Sequence, residues 1–178
     1  NVNNTGVGSL RNAIGNSLAG DTIYFSSSLL SSGNDTITLN SEIVIDEGVT
    51  IQGLYTSGDT LFISGNNSNR IFRIDLSLSS MKSFIADGLF LINGKSVTDG
   101  GAIYVESADS VVLENCFIQN CKAPNGGAIY TRANTFVTNT IFLKDSASQN
   151  GGAIYLDSAI CYLSKSSLTN NFASNNGG

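Results

Sequence analysis

The feature of this sequence that most constrains its fold is a Gly-Gly-Ala-Ile-Tyr phrase that recurs at a nearly fixed interval. The step from Gly100 to Gly126 is 26 residues, the step from Gly126 to Gly151 is 25, and the step from Gly151 to Gly177 is 26. A period of about 20–50 residues is the signature of an architecture in which each repeat stacks on its neighbours. The sequence therefore favours a repeat fold over a conventional globular domain.

The segments between the glycine pairs have the composition of short strands. They are AIYVE, VVLEN, CFIQN, AIYTR, FVTNT, IFLKD and AIYLD, which are rich in β-branched and aromatic residues. Asn, Asp, Ser and Gly separate them, as is typical of turns. A leucine-rich repeat would need a denser Leu pattern, and a propeller blade would need about 40 residues or more. We therefore predict an all-β fold, a right-handed single-stranded parallel β-helix with about six coils.

Equivalent residues of successive coils in such a fold lie above one another at about 4.8 Å. Alignment on the glycine pairs predicts two inward core ladders, formed by Ile103, Ile129 and Ile154 and by Phe117, Phe142 and Leu168. Because neighbouring residues of a strand point to opposite faces, an outward aromatic ladder should accompany the isoleucines, formed by Tyr104, Tyr130 and Tyr155. These tyrosines either contact a ligand such as a sugar or stabilise the sheet by cross-strand stacking.

Two groups of polar or small residues are predicted to form the corners of the coils. The glycine pairs form one corner, where the backbone needs a positive φ or a side chain would clash: Gly100, Gly101, Gly126, Gly127, Gly151 and Gly152. Side chains that can bond the turn backbone form the other corner: Asn93, Asn120, Asp145 and Asn171.

The chain divides into three predicted regions. Residues 1–20 form an N-terminal cap with a short amphipathic helix, in which Leu10, Ile14 and Leu18 share one face, Ser9 is the N-cap and Gly20 is the stop. A cap protects the open end of a solenoid. Residues 21–99 form about three irregular coils, and residues 100–178 form the regular coils. The chain stops as another repeat begins, so we expect the coils to continue in the natural polypeptide.

The composition argues against several functional classes. A net charge of −5 and a charged fraction of 13% do not suit a nucleic-acid surface, which needs clustered Lys and Arg. No stretch approaches the roughly 20 apolar residues of a membrane span, so we predict no membrane insertion by this segment. The absence of His removes the commonest general base and metal ligand, and we predict no metal and no cofactor. Cys116 and Cys121 either form a disulfide across a turn or pack as small apolar residues.

One set of charged residues needs a separate interpretation. Glu106, Arg132 and Asp157 fall six residues after their glycine pairs. They form either a catalytic cluster or a surface ladder of alternating charge, and we favour the ladder. We therefore predict that the protein is not an enzyme, with a polysaccharide lyase or hydrolase as the less favoured alternative.

The repeats resemble a known family of surface proteins. Phe90-Leu91-Ile92-Asn93 and Phe117-Ile118-Gln119-Asn120, each followed by GGAIY, resemble the paired FxxN and GGA[ILV] motifs of polymorphic outer membrane proteins, which are passenger domains of bacterial autotransporter adhesins. Later repeats depart from the motif, with Asp145 in place of Asn and Leu168 in place of Phe. The opening GSLRNAI, GDTIYF and ITLNSEIVIDEGVTIQG segments are similar to the N-terminal regions of large bacterial surface proteins with right-handed β-helix repeats.

The resemblance implies a non-enzymatic structural or adhesive segment, located outside the cell or on its surface. The partners that it implies are glycans or proteins of a host cell or matrix. Two alternatives stay open from the residues themselves: a carbohydrate-binding module, and a filament subunit that associates end to end with copies of itself.

Overall fold

The computed structural model describes residues 1–56 and 58–178. Across this part of the chain, the secondary structure comprises one short helix, α1 (Leu10–Ile14), one 3-10 turn (Ser27–Leu30) and twenty short strands. The strands wind in coils, and each coil contributes one strand to each of three or four sheets.

Six coils follow one another along the chain. The first three hold β1 (Thr22–Tyr24), β2 (Asp35–Thr38) and β3 (Ile43–Ile45); β4 (Thr50–Gln52), β5 (Leu61–Ser64) and β6 (Phe72–Asp75); and β7 (Ser83–Asp87), β8 (Phe90–Ile92) and β9 (Ile103–Ser107). The fourth and fifth hold β10 (Ser110–Glu114), β11 (Phe117–Gln119), β12 (Lys122–Asn125) and β13 (Ile129–Thr131), and β14 (Asn134–Thr138), β15 (Ile141–Leu143), β16 (Ser146–Asn150) and β17 (Ile154–Leu156). The sixth holds β18 (Cys161–Ser164), β19 (Ser167–Thr169) and β20 (Phe172–Ala173).

Every pairing between these named strands is parallel and joins adjacent coils, as in β7–β10–β14–β18 and β8–β11–β15–β19. The sequence-based prediction of a parallel β-solenoid of about six turns with a short N-terminal helix is therefore confirmed.

Inward side chains fill the space between the sheets with continuous apolar columns. One column runs through Ile37, Ile63, Leu91, Ile118 and Phe142 in five successive coils, and all five side chains are buried. Because each fully buried side chain of this size stabilises the fold by about 1.5–3 kcal/mol, these columns hold the coils together.

Helix α1 covers the first coil and is shorter than the sequence predicted. The Ser9 hydroxyl accepts the amide N–H of Asn12 at 3.2 Å as the N-cap, while Leu10 and Ile14 are buried. The helix ends at Gly15 rather than Gly20, and Leu18 is 71% exposed. The prediction that Leu18 shares the apolar face and that Gly20 stops the helix was therefore wrong, because the helix has ended before it presents a third apolar turn.

The register of β11 also differs from the prediction. Ile118 pairs with Phe142, and Phe117 pairs with Ile141. Phe117 thus lies on the outer face of its sheet, and Ile118 occupies the core position. The coil-to-coil offset is 24 residues at Lys122↔Ser146 and 25 at Asn125↔Asn150 because of an irregularity between these pairs. Alignment on the glycines carried the offset of 25 back across this irregularity and placed Phe117 one residue out of register.

Candidate functional site

The predicted candidate ligand face is an ordered stack of tyrosines on β9, β13 and β17. Tyr104 pairs with Tyr130 and Tyr130 with Tyr155, while the neighbouring Ile103, Ile129 and Ile154 form one column on the opposite face of the sheet. The ring centroids are 5.2 and 5.3 Å apart, with interplanar angles of 24° and 14°. The rings therefore stack face to face along the solenoid axis.

This stacking occupies the ring faces that a sugar would need. Tyr130 lies between two rings and is 6% exposed. The guanidinium of Arg70 lies 4.9 Å from the centroid of Tyr104, and that of Arg132 lies 5.5 Å from the centroid of Tyr130. The geometry of the tyrosine stack consequently favours cross-strand packing over sugar binding at Tyr104 and Tyr130.

The polar groups at the edge of the stack satisfy one another. The Tyr130 hydroxyl donates to Asp157 Oδ2 at 2.6 Å, and Arg132 Nε donates to the same oxygen at 2.9 Å. Burial, with the hydrogen bond to Asp157, raises the pKa of Tyr130 to about 12. Hydrogen bonds from Tyr130 and then Arg132 lower the pKa of Asp157. This carboxylate is held in its ionised form, which is the opposite of what a general acid needs.

The remaining charges on this face are paired in the same way. Arg73 forms ion pairs with Glu106 and, at 3.7 Å, with Glu42. Arg70 also pairs with Glu42 and donates to the carbonyl oxygens of Asp99 and Gly100 at 2.9 and 3.0 Å. Glu106 therefore pairs with Arg73 of the preceding coil, and Arg132 pairs with Asp157 of the following coil. The three predicted stack members belong to two separate ion pairs.

The glycine pairs lie at one corner, as their spacing suggested. The first members, Gly100, Gly126 and Gly151, have φ values of 65°, 62° and 64°. The second members lie against the backbone of the next coil: a Cβ atom on Gly127 would lie 2.2 Å from the carbonyl oxygen of Gly152. The first position thus needs a left-handed conformation, and the second needs the absence of a side chain.

The second corner contains two columns where the sequence predicted one. Asn93 and Asn120 have φ values of 55° and 57° and share the left-handed position with Lys144 and Asn170. Asp145 and Asn171 lie one residue further on, in the column of Cys121: Asp145 Oδ1 accepts the amide N–H of Cys121 at 2.7 Å, and Asn171 Oδ1 accepts that of Asp145 at 2.9 Å. The single predicted ladder was wrong at Asn93 and Asn120 because of the same register error that displaced Phe117.

The cysteines are free thiols in the described structure. Cys116 and Cys121 are buried in the stack, and burial raises the pKa of Cys116 to about 12. Of the two interpretations from the sequence, the structure therefore has these residues packed as small apolar side chains.

Residues 1–56 and 58–178 contain no group of three or more His, Cys, Asp or Glu side chains able to hold a metal ion. Among the helices of the described residues, none has the length and apolar character needed to span a bilayer.

A feature that the sequence analysis missed is an outward stripe of aromatic rings on the sheet that contains β5, β8 and β11. Phe62, Phe90 and Phe117 occupy equivalent outer positions in successive coils, with ring centroids 5.9 and 5.8 Å apart. Ile141 continues the stripe in the next coil. The strand FLI is apolar on both faces and carries no alternation, so the sequence held no signal for which residue faces the core.

Comparison of this chain with protein-family models, with curated proteins and with solved structures found no match.

Proposed function

We propose that the chain is a non-enzymatic structural and adhesive segment of a large cell-surface protein, with a glycan or protein of a host cell or matrix as its partner. The observation that carries this proposal is the outward stripe of Phe62, Phe90 and Phe117. Two of these are the phenylalanines of the FxxN motifs, and they lie on the surface instead of in the core. An outward apolar patch on a soluble fold marks an interaction surface.

The solenoid suits a segment that presents such a surface. Each coil bonds to the coils before and after it, so stability accumulates by neighbour contacts and the surface can be repeated along the axis. The charged and aromatic groups of the tyrosine face are already paired with one another, which supports a structural role for that face. The stripe of phenylalanines is the better candidate for contact with a partner.

A binding assay with two matched variants tests the adhesive role. The labelled chain is applied to arrays of glycans and extracellular-matrix proteins and to intact cells. The double variant Phe90→Ala with Phe117→Ala is expected to lose at least about tenfold in affinity, whereas Tyr155→Ala should bind as the unmodified chain does. Unchanged binding by the double variant, at temperatures where it is folded, would refute the assignment of the stripe.

The proposed location is tested separately. Antibodies raised against this chain are expected to label intact cells of the source organism as strongly as permeabilised cells. Labelling confined to permeabilised cells would contradict an extracellular role.

A second candidate function is end-to-end self-association, and the sixth coil favours it. Leu163 and Leu168 point inward but are 49% and 47% exposed, because no further coil of the described chain covers them. A second copy could cover these side chains. The isolated chain should then show a concentration-dependent mass in sedimentation velocity, and Leu168→Lys should make it monomeric. A monomer at all concentrations would exclude this function for the isolated chain.

A further inference from the structure

The corner that contains Asn171 shows how this solenoid uses an amide side chain between coils. Asn171 Oδ1 accepts the amide N–H of Asp145 at 2.9 Å, and Asn171 Nδ2 donates to the carbonyl oxygen of Phe142 at 3.2 Å. One side chain therefore satisfies an N–H and a C=O of the preceding coil. Both bonds require the acceptor and donor that an amide carries together.

Asp145 occupies the same position one coil earlier. Its Oδ1 accepts the amide N–H of Cys121 at 2.7 Å, matching the first bond of Asn171. Because Ile118 pairs with Phe142, the carbonyl equivalent to that of Phe142 is the carbonyl of Ile118. Oδ2 of Asp145 stands where Asn171 has its donor nitrogen. It is buried and has no hydrogen-bond partner within the described residues while the carboxyl is treated as ionised.

A carboxylate oxygen directed at a carbonyl oxygen in a dry interior is unfavourable, since both atoms are acceptors. A protonated carboxyl removes the conflict because its O–H is a donor. We propose that Asp145 carries a proton on Oδ2 and donates it to the carbonyl of Ile118, so that a carboxylic acid replaces an asparagine at this corner. Loss of the proton leaves a charge inside the stack, and the fourth and fifth coils separate more easily at this corner.

The surroundings of Asp145 agree with a neutral acid. Burial raises the pKa of Asp145 to about 8, against the opposing hydrogen bonds from Cys121. The titratable group that faces it from the fourth coil is the Cys121 thiol, whose own pKa is raised chiefly by burial. Asn171, which faces it from the sixth coil, is uncharged. The adjacent Lys122 and Lys144 are exposed to solvent.

The direction of the pH effect follows from proton binding. The unfolded chain releases this proton near the ordinary Asp pKa of about 3.9, whereas the folded chain keeps it up to about pH 8. Between these values the folded state binds more protons, so stability falls as pH rises. The contribution of Asp145 lowers the folding equilibrium constant by up to about tenfold per pH unit, or about 1.4 kcal/mol. Below pH 3.9 and above pH 8 this dependence disappears.

Two measurements test the proposal. The carbon-13 shift of the Asp145 Cγ, followed from pH 4 to pH 9 and assigned by comparison with Asp145→Asn, is expected to titrate well above the ordinary Asp range. Titration near pH 4 would overturn the proposal whatever the stability of any variant.

Urea unfolding from pH 5 to pH 8 supplies the second measurement. The unmodified chain should lose stability across this window, and Asp145→Asn should remove most of that loss because the amide keeps both bonds without a titratable proton. The matched control Asp109→Asn, at an exposed position, should leave the slope unchanged. An equal slope in Asp145→Asn and the unmodified chain, or failure of Asp145→Asn to fold at pH 5, would contradict the assigned hydrogen bond.

Discussion

Replacement of Phe142 by alanine is expected to lower the free energy of unfolding by about 3–5 kcal/mol, the range for a fully buried phenylalanine. Its ring is 0% exposed and lies in the core column between Ile118 and Leu168. For a chain of this size, about 2–4 °C of melting temperature is lost per kcal/mol. The expected decrease is therefore about 6–20 °C.

Phe117→Ala should cost much less, although the sequence repeats place both residues in one ladder. The Phe117 side chain lies on the outer face, where its ring lies 5.8 Å from that of Phe90. Loss of such an aromatic pair, with part of the apolar contact area, costs about 1–2 kcal/mol, or about 2–8 °C. Phe136→Ala is the matched control, because that ring is 41% exposed in an outward stack with Tyr162.

The assay is thermal unfolding of the three variants, followed by far-ultraviolet circular dichroism at one protein concentration. Urea unfolding serves as a second estimate of the free energy. A Phe117→Ala variant that loses as much stability as Phe142→Ala, or more, would refute the register of β11 and the outward stripe that depends on it.

Three further outcomes are expected from the corners, the tyrosine stack and the cap. Gly127→Ala should destabilise the chain by about 3 kcal/mol in thermal unfolding, because its Cβ would lie 2.2 Å from a carbonyl oxygen of the next coil; Gly58→Ala, in open space, should cost less than about 1 kcal/mol. In ultraviolet absorbance titration, Tyr130 should ionise near pH 12, and Asp157→Asn should lower that value because it removes a charge that disfavours the phenolate. Ser9→Ala should cost about 1 kcal/mol in urea unfolding through loss of the N-cap bond, and an unchanged midpoint would count against the cap.

The architecture was predictable from the sequence because spacing and strand chemistry agree. The glycine steps of 25 and 26 residues and the alternation in AIYVE, AIYTR and AIYLD place Ile129 inward and Tyr130 outward, and the structure has both in these positions. In these strands a polar or amphipathic residue alternates with an apolar one, so the inward face can be identified.

The facing of β8, β11 and β15 could not be predicted in this way. FLI, FIQ and IFL are apolar at consecutive positions, so a shift of one residue changes the hydrophobic pattern very little. The bulge between Ala123 and Asn125 then decided the register, and it has no marker in the residue types. The function of Asp145 was equally hidden, because an Asp at a turn is ordinarily an ionised acceptor.

The change of offset between Ala123 and Asn125 has a consequence for how such a chain can diverge. The strands before it keep one spacing between coils and the strands after it keep another, yet the core columns on both sides stay continuous. A repeat that gains or loses a residue at this corner can still stack on its neighbours. Copying errors in tandem genetic duplications would therefore be absorbed at the turns, and descendants of one repeat could differ in length while sharing a common cross-section.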